Sequence, residues 1–279
     1  MTNMVPDLLL NDQHPMPVAG LGVYKINNES DMNNAVDDAL DLGYRLFDTA
    51  SVYRNEEIFG KAIRSSHIDR EDVFITSKVW NTAQRMGDIE GAFNRSLDRM
   101  KLDYVDLYLI HWPVPGCYTE TWKHLEQINL SGRARSIGVS NFGIMHLEHL
   151  FETSGIVPTV NQIECHPLWN QSELVSYCQE RGIAVQAYAP LARGAYAERL
   201  ILEQIGRKYG KSATQIGLRW LVQQNIAIVP KSANAEHLEK NINIFDFSLT
   251  ETEMATISTM DEHLRTASIP EDMLGADIE

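Results

Sequence analysis

The sequence predicts an α/β protein folded as a single (β/α)8 TIM barrel with an N-terminal hairpin and a C-terminal tail. Three observations support this prediction. Short apolar or β-branched segments alternate eight times with segments of helical periodicity. Several short segments are apolar throughout, as strands covered by helices require. No Pro-rich or Ser-rich linker divides the chain, so residues 1–279 are predicted to form one domain, although the length alone would allow two.

The eight predicted strands follow one another at intervals that leave room for one helix each. Strand, helix and strand repeated with right-handed crossovers close into a barrel. The predicted strands are Val18–Val23, Arg45–Asp48, Val73–Val79, Val105–Ile110, Ser136–Val139, Val160–Glu164, Ala184–Tyr188 and Ile226–Val229.

The intervening helices have recognisable ends. Ser30–Asp31 can cap the first helix, which Gly43 ends. Asn170–Glu173 opens a later helix that Gly182 closes. Thr250–Glu253 has the residue pattern of a capping box and begins the last helix.

A doubly wound open sheet is the alternative architecture, and it predicts a glycine-rich dinucleotide turn after the first strand. Gly20-Leu21-Gly22 supplies the first two glycines, but Lys25 stands where the third belongs. The sequence therefore favours the barrel over the open sheet.

Charge and composition exclude several classes of function. The chain has 38 Asp and Glu against 24 Lys and Arg, a net charge of −14, which argues against a nucleic-acid-binding face. It contains no long apolar run, and Met1–Asp7 does not resemble a leader, so neither membrane insertion nor export is expected. Cys117, Cys165 and Cys178 fit no disulfide or CxxC spacing. These features predict a cytoplasmic protein with reduced thiols.

Polar side chains concentrate where the predicted strands end, which is the functional face of a barrel of this kind. Asp48 ends the second strand, Lys78 lies near the end of the third, and His111 follows the fourth. Tyr53 lies five residues beyond Asp48, on a loop from which it could reach both Lys78 and His111. Alone, each could be a structural or solvated residue, but together they suggest a catalytic group.

The chemistry of this group suggests reduction of a carbonyl. The ammonium of Lys78, oriented by Asp48, is expected to lower the pKa of Tyr53, which can then donate a proton to a developing oxyanion. A neutral His111 is expected to align the carbonyl through a hydrogen bond. The set contains no electron source, so hydride must come from a cofactor.

With these residues identified, the sequence closely resembles the aldo-keto reductase superfamily. The resemblance runs from about residue 18 to about residue 247, in the family's order. The matching segments are Gly20-Leu21-Gly22, Gly43-Tyr44-Arg45, Asp48-Thr49-Ala50, Tyr53, Asn55-Glu56-Glu57, Lys78-Val79-Trp80, Asp106–Pro113, Ile137–Phe142, Asn161–Glu164, Tyr188, Pro190-Leu191 and Pro230-Lys231-Ser232.

The resemblance implies an NADPH-dependent carbonyl reductase with Asp48, Tyr53, Lys78 and His111 as catalytic tetrad and Tyr53 as general acid. The chain is most similar to the prokaryotic branch of 2,5-diketo-gluconate and glyoxal reductases, so aldehydes, 2-dicarbonyls and keto-sugar acids are candidate substrates. The implied cofactor residues are Ser140, Asn141 and Gln162 at the carboxamide, Tyr188 on the nicotinamide ring, Lys231 and Ser232 at the 2′-phosphate, Asn241 at adenine, and also Gly22, Leu191 and His237.

Two residues depart from the family's pattern. His237 stands where the family usually has Arg, and imidazole is mostly neutral at pH 7 and gives one donor instead of a fork. We therefore expect a weaker preference for NADPH and measurable use of NADH. Ala189 stands where many members have Ser, which removes one potential pyrophosphate contact.

The resemblance also outlines a substrate pocket and leaves its specificity open. Tyr24, Trp80 and Trp112 match pocket positions, with His111 and Tyr53 at the base. An apolar aromatic slot with a polar floor is expected. The family is often monomeric, so we expect a monomer whose partners are small molecules.

The sequence leaves two other functions open. A metal-dependent hydrolase on the same barrel would need several converging ligands, and among the strand ends only His111 fits, so no metal is expected. A catalytically idle, reductase-like protein that binds nucleotide as a sensor is the second alternative. The intact tetrad positions argue against it.

Overall fold

The computed structural model describes residues 5–274 and contains the predicted barrel. Eight parallel strands form one sheet in which each strand pairs with the next along the chain. The sheet closes where the backbone N–H of Ile228 donates to the Val18 carbonyl at 2.8 Å and that of Gly22 donates to the Pro230 carbonyl at 3.1 Å. The prediction of a (β/α)8 barrel is confirmed.

The barrel strands follow a short antiparallel hairpin, which confirms the hairpin prediction. Residues 1–4, which belong to the segment read as lacking a leader, and residues 275–279 of the predicted tail lie outside the described residues. The strands are β1 (Asp7–Leu9) and β2 (Pro15–Pro17) in the hairpin, then β3 (Gly20–Gly22), β4 (Leu46–Asp48), β5 (Phe74–Val79), β6 (Val105–Ile110), β7 (Ala134–Ser140), β8 (Val160–Glu164), β9 (Ala184–Tyr188) and β10 (Ile226–Val229).

Helices connect the strands on the outside of the barrel and continue beyond its last strand. They are α1 (Glu29–Asp41), α2 (Glu56–Ser65), α3 (Asn81–Met86), α4 (Ile89–Met100), α5 (Tyr118–Leu130), α6 (Ile144–Thr153), α7 (Ser172–Glu180), α8 (Leu200–Tyr209), α9 (Ala213–Val222), α10 (Ala235–Ile242) and α11 (Glu251–Ser258).

Two predicted helix starts are correct and one is displaced. Thr250 and Glu253 form the predicted capping box of α11, and α7 begins within the predicted segment, at Ser172. The cap of α1 is Asn28, not Ser30–Asp31, because the side chain of Asn28 accepts the backbone N–H of Asp31 at 2.8 Å. The side chain of an N-cap residue accepts a backbone N–H about three residues further along the chain. Asp31 supplies that N–H and is therefore not the cap itself.

The apolar core has an outer and an inner part. The outer part lies between strands and helices and includes the fully buried Trp122 and Trp220. The inner part includes Leu46 and Leu109 from the strands and Met16 from the hairpin. Because these apolar side chains pack with the hairpin, the polar side chains at the strand ends are left to line the opposite end, the mouth of the barrel.

Candidate active site

Three neighbouring strands bring polar side chains to the mouth of the barrel. Asp48 is the last residue of β4, Lys78 lies one residue before the end of β5, and His111 follows β6 directly. Tyr53 comes from a single 3₁₀ turn after β4. The hydroxyl of Ser51 fixes that turn to β5 by donating to the Lys78 carbonyl oxygen at 2.9 Å.

Lys78 is completely buried, and its ammonium has all three donors occupied. It donates to both carboxylate oxygens of Asp48 at 2.7 Å and to the Thr49 carbonyl at 3.0 Å. Burial lowers the pKa of Lys78 below its ordinary value, and the charge of Asp48 opposes this shift. A buried ammonium is tolerated only when it is paired and hydrogen-bonded, so the expected pairing of Lys78 and Asp48 is present.

A second buried carboxylate supports β5 from the side of the helices. Glu56, in α2, accepts a hydrogen bond from the Ser77 hydroxyl at 2.7 Å. Its other oxygen pairs with the guanidinium of Arg99 at 2.5 and 2.8 Å. Because Ser77 directly precedes Lys78, these contacts hold the backbone that carries the buried ammonium.

Tyr53 lies beside the other predicted catalytic residues, but its acidity differs from the prediction. The Lys78 nitrogen lies 5.3 Å from the centre of the Tyr53 ring, and the rings of Tyr53 and His111 lie edge to face at 5.8 Å. Burial and then the negative charge of Asp48 raise the pKa of Tyr53 well above its ordinary value. The expected lowering is wrong because burial and the nearby charge of Asp48 both favour the neutral phenol.

His111 is buried as a neutral imidazole. Burial and then the ammonium of Lys78 hold the pKa of His111 well below its ordinary value. Its Nδ1 is buried without a hydrogen-bond partner in the described chain. With the proton on Nε2, the buried Nδ1 needs no acceptor and the ring keeps one N–H donor.

The next strand ends form a polar shelf beside these residues. Asn141 has a positive φ of 62° and donates to the His111 carbonyl at 3.0 Å. Its side-chain oxygen accepts the hydroxyl proton of Tyr188 at 2.7 Å, while Ser140 donates to the Gln162 carbonyl at 2.8 Å. The structure therefore brings together four of the residues predicted to contact the cofactor.

The residues predicted to contact the adenosine half lie apart from the shelf, around the start of α10. Lys231 is exposed, pairs with Gly22 in a parallel bridge and has no ion-pair partner within residues 5–274. Ser232 is buried, His237 is exposed on the first turn of α10, and Asn241 is buried with an unpartnered side-chain nitrogen. The other predicted position, Leu191, is partly buried against the outer core.

The predicted aromatic residues lie next to one another along the mouth, where Trp80 packs against both His111 and the cluster that contains Trp112. Trp80 packs edge to face on His111 at 5.0 Å, and Tyr24 lies 4.9 Å from the Tyr53 ring, with 43% of its surface exposed. Trp112 is buried in a small apolar cluster on the same side as Trp80. Val114 and, from the C-terminal tail, Met273 complete that cluster.

The C-terminal tail is fastened at both sides of the mouth. At one side, the backbone N–H groups of Thr266 and Ala267 donate to the buried carboxylate of Glu164, at 2.7 and 3.0 Å. At the other, Asp272 pairs with Arg85 and accepts from Asn81 at 3.2 Å. Both attachments join the tail to residues at or beyond strand ends, which makes it part of the wall of the mouth.

Sequence reasoning missed residues that matter to this site. Met273 was not assigned to the site, because nothing in the sequence of the tail indicates which residue of the barrel it packs against. Gln186 was also missed, although a signal existed: it is the polar residue in the otherwise apolar strand Ala184–Tyr188. In the structure it is fully buried and hydrogen-bonded to Gln162.

The described part of the chain has neither a cluster of metal ligands nor a helix suited to a membrane. Residues 5–274 contain no group of three or more His, Cys, Asp or Glu side chains arranged to hold a metal ion. None of the helices in that range combines the length and the apolar character needed to span a bilayer.

Comparison with known proteins gives consistent results. Residues 19–262 match the model of the Aldo/keto reductase family. Glyoxal reductase of Bacillus subtilis is 41% identical over 98% of this chain and 99% of its own length. Methylglyoxal reductase DkgA of Escherichia coli O157:H7 is 38% identical over 95% and 97%. The structure of a Bombyx mori aldo-keto reductase in complex with NADP superposes with a TM-score of 0.90, at 36% identity over 98% of this chain and 97% of its own.

Proposed function

The chain belongs to the aldo/keto reductase family, and from this premise we propose that it reduces aldehydes and ketones to alcohols with NAD(P)H. The observation that carries the proposal is the buried Lys78–Asp48 pair, with Tyr53 and a neutral His111 beside it at the mouth. The group combines a proton donor and a hydrogen-bond donor for a carbonyl oxygen.

The residues around the mouth fit a nicotinamide dinucleotide, which supplies hydride when bound. Ser140 and Asn141 offer polar groups for a carboxamide, and Tyr188 offers an aromatic face for the ring. The unpartnered nitrogen of Asn241 and the ammonium of Lys231 fit the adenine and 2′-phosphate. A buried amide nitrogen without a partner costs free energy, which a polar ligand at Asn241 would recover.

In the proposed reaction Tyr53 donates its proton to the carbonyl oxygen as negative charge develops there. The raised pKa of Tyr53 keeps that proton in place until a strong acceptor forms. His111 donates a hydrogen bond to the same oxygen and orients the substrate. Asp48 keeps Lys78 ionised and in contact with the Tyr53 ring.

We propose small 2-oxoaldehydes as the first substrates to test. Two relatives of this chain are named for the reduction of glyoxal and methylglyoxal. Trp80 and Tyr24 border the mouth with apolar rings, and Trp112 and the tail pack next to Trp80. Such a slot suits a compact carbonyl compound whose polar end faces His111.

The replacement Tyr53→Phe tests the mechanism because it removes only the acidic hydroxyl. We expect kcat/KM for methylglyoxal to fall roughly 100- to 10,000-fold, the usual contribution of a general acid, with the Kd of the reduced dinucleotide nearly unchanged. Loss of reduced-nicotinamide absorbance measures the rate over a panel of aldehydes, 2-dicarbonyls and keto-sugar acids.

The matched control is Tyr104→Phe, at a tyrosine that stacks between the guanidinium groups of Arg70 and Arg135, each 4.0 Å from the ring. It should retain wild-type rates. Wild-type rates in Tyr53→Phe would contradict the proposed mechanism. A wild-type chain that binds the dinucleotide but reduces nothing on the panel would favour the idle nucleotide-binding alternative.

A further inference from the structure

Two buried glutamines face each other inside the barrel. Gln162 in β8 and Gln186 in β9 are register partners on adjacent parallel strands. Gln186 is 0% exposed, and the reaction proposed above gives it no role. A polar side chain placed in a barrel interior needs hydrogen-bond partners, so its contacts indicate what it does.

The charge of Asp48 determines how both amides are oriented. Gln162 Nε2 lies 2.7 Å from Asp48 Oδ2 and 2.5 Å from Gln186 Oε1. An ionised carboxylate can only accept hydrogen bonds, so Gln162 must turn its nitrogen toward Asp48. The second N–H of that nitrogen then requires an acceptor, which is the side-chain oxygen of Gln186.

The remaining atoms of the pair follow from the same constraint. Gln186 Nε2 is directed toward the sulfur of Met16 in the hairpin, at 3.7 Å, and a thioether is only a weak acceptor. Gln162 has both N–H groups committed, and no donor to its side-chain oxygen occurs within the described chain. That oxygen is available to a ligand at the mouth.

We propose that Gln186 is a positioning residue: by accepting the second N–H of Gln162, it holds that amide with its nitrogen on Asp48 and its oxygen toward the cofactor site. The inference rests on the proposed function, because the ligand concerned is the reduced dinucleotide. Without Gln186, a buried N–H of Gln162 has no acceptor. The amide then turns away, and both Asp48 and the ligand lose a contact.

The replacement Gln186→Leu removes the acceptor at similar volume. We expect the Kd of NADPH, measured by quenching of tryptophan fluorescence, to rise roughly tenfold, as for the loss of one hydrogen bond. The KM for NADPH should rise by the same factor, and the KM for methylglyoxal should stay within about twofold. If Gln186 had only a structural role, its replacement would not raise the KM for NADPH while leaving the KM for methylglyoxal unchanged.

The control is Thr76→Val, which removes a hydroxyl that is buried in β5 without a partner. It should leave the Kd of NADPH unchanged. The variant Gln186→Glu, whose fully buried carboxyl is expected to stay protonated, keeps an acceptor oxygen and should restore most of the affinity lost in Gln186→Leu. An unchanged Kd in Gln186→Leu, or an equal rise in Thr76→Val, would overturn the inference.

A double-mutant cycle tests the contact without any cofactor or activity. Urea unfolding of Gln162→Met, Gln186→Leu and the double variant should show coupled rather than additive losses. Additive losses would overturn the inference even if the chain reduces aldehydes. Coupled losses in a chain that neither binds NADPH nor reduces any carbonyl would keep the contact but contradict the proposed function.

Discussion

At the scale of single residues, the site depends on which groups the ammonium of Lys78 contacts. Chain order predicted that Lys78 and Asp48 would pair, because parallel strands bring their carboxyl ends to one rim. The effect on Tyr53 could not be predicted in the same way. Its pKa depends on burial and on Asp48, and neither can be judged from a list of neighbouring residue types.

The contact between Asp48 and Gln162 illustrates the same limit. The resemblance placed Gln162 at the cofactor, but its hydrogen bond to Asp48 joins residues 114 positions apart across the barrel. Such a contact is set by barrel closure and by side-chain rotamers. Strand patterns predict at which end of the barrel a residue lies. They do not predict which atoms its side-chain amide will contact.

His237 carries the prediction of relaxed cofactor preference. It lies exposed on the first turn of α10, near Lys231 in sequence. We expect the ratio of kcat/KM for NADPH over NADH to be below about a thousandfold, or ~4 kcal/mol, because imidazole cannot form the bidentate contact of a guanidinium with phosphate. Steady-state kinetics with both cofactors measure this ratio.

Two variants at position 237 test this prediction. His237→Arg should raise kcat/KM for NADPH roughly tenfold and leave the value for NADH unchanged. His237→Gln, which likewise cannot form a bidentate contact with phosphate, should behave like the wild type. A wild-type preference above a thousandfold would contradict the expectation.

At the scale of elements, strand positions were predictable and some helix ends were not. Ile226–Val229 is apolar throughout and Val105–Ile110 is apolar except for Asp106, and the structure gives those same bounds. The start of α1 was misplaced because Asn28, Ser30 and Asp31 are all good capping residues. Only the backbone conformation of Asn28, with φ −119° and ψ 151°, identifies the cap.

The capping box of α11 gives a pH-dependent prediction. Burial acts to raise the pKa of Glu253, but hydrogen bonds from Lys208, Tyr209 and Thr250 outweigh it and lower the value to about 2. A carboxyl whose folded pKa is depressed stabilises the fold above its unfolded value of ~4.3. That stabilisation is lost as the pH falls from about 4.3 toward about 2.

The replacement Glu253→Gln should therefore reduce the free energy of unfolding by at most about 3 kcal/mol at pH 7. The difference from wild type should shrink by about 1 kcal/mol on going to about pH 3.5. Urea unfolding at several pH values measures it. Ser212→Ala, in the capping box of α9 that pairs Ser212 with Gln215, is the control, and its cost should not vary with pH.

At the scale of the whole molecule, the chain has a net charge of −14, whereas the proposed site uses the positive charges of two lysines. Lys78 is kept from water by the barrel, and Lys231 lies exposed in the loop before α10, with no ion-pair partner within residues 5–274. Both lysines were assigned to the site from the sequence. It could not predict that Met273 would pack with Trp112, because the tail has no periodic pattern that selects a partner in the barrel.

The closed sheet predicts that the chain unfolds as one unit. The pairing of β3 with the segment after β10 joins the two ends of the barrel, so neither half can leave without exposing unpaired strand edges. Calorimetry should show a single transition with equal calorimetric and van't Hoff enthalpies. Two separate transitions would contradict the prediction of one domain over residues 1–279.

The bridge between Ala19 and Ile228 also bears on how the protein is synthesised. Gly20–Gly22 leaves the ribosome early, yet one partner of that strand is made only about 200 residues later, at about 5–20 residues per second. One edge of this strand stays unpaired until Ile226–Val229 has left the ribosome. Closure of the barrel, and with it the joining of Gly22 to Lys231, can only follow translation of nearly the whole chain.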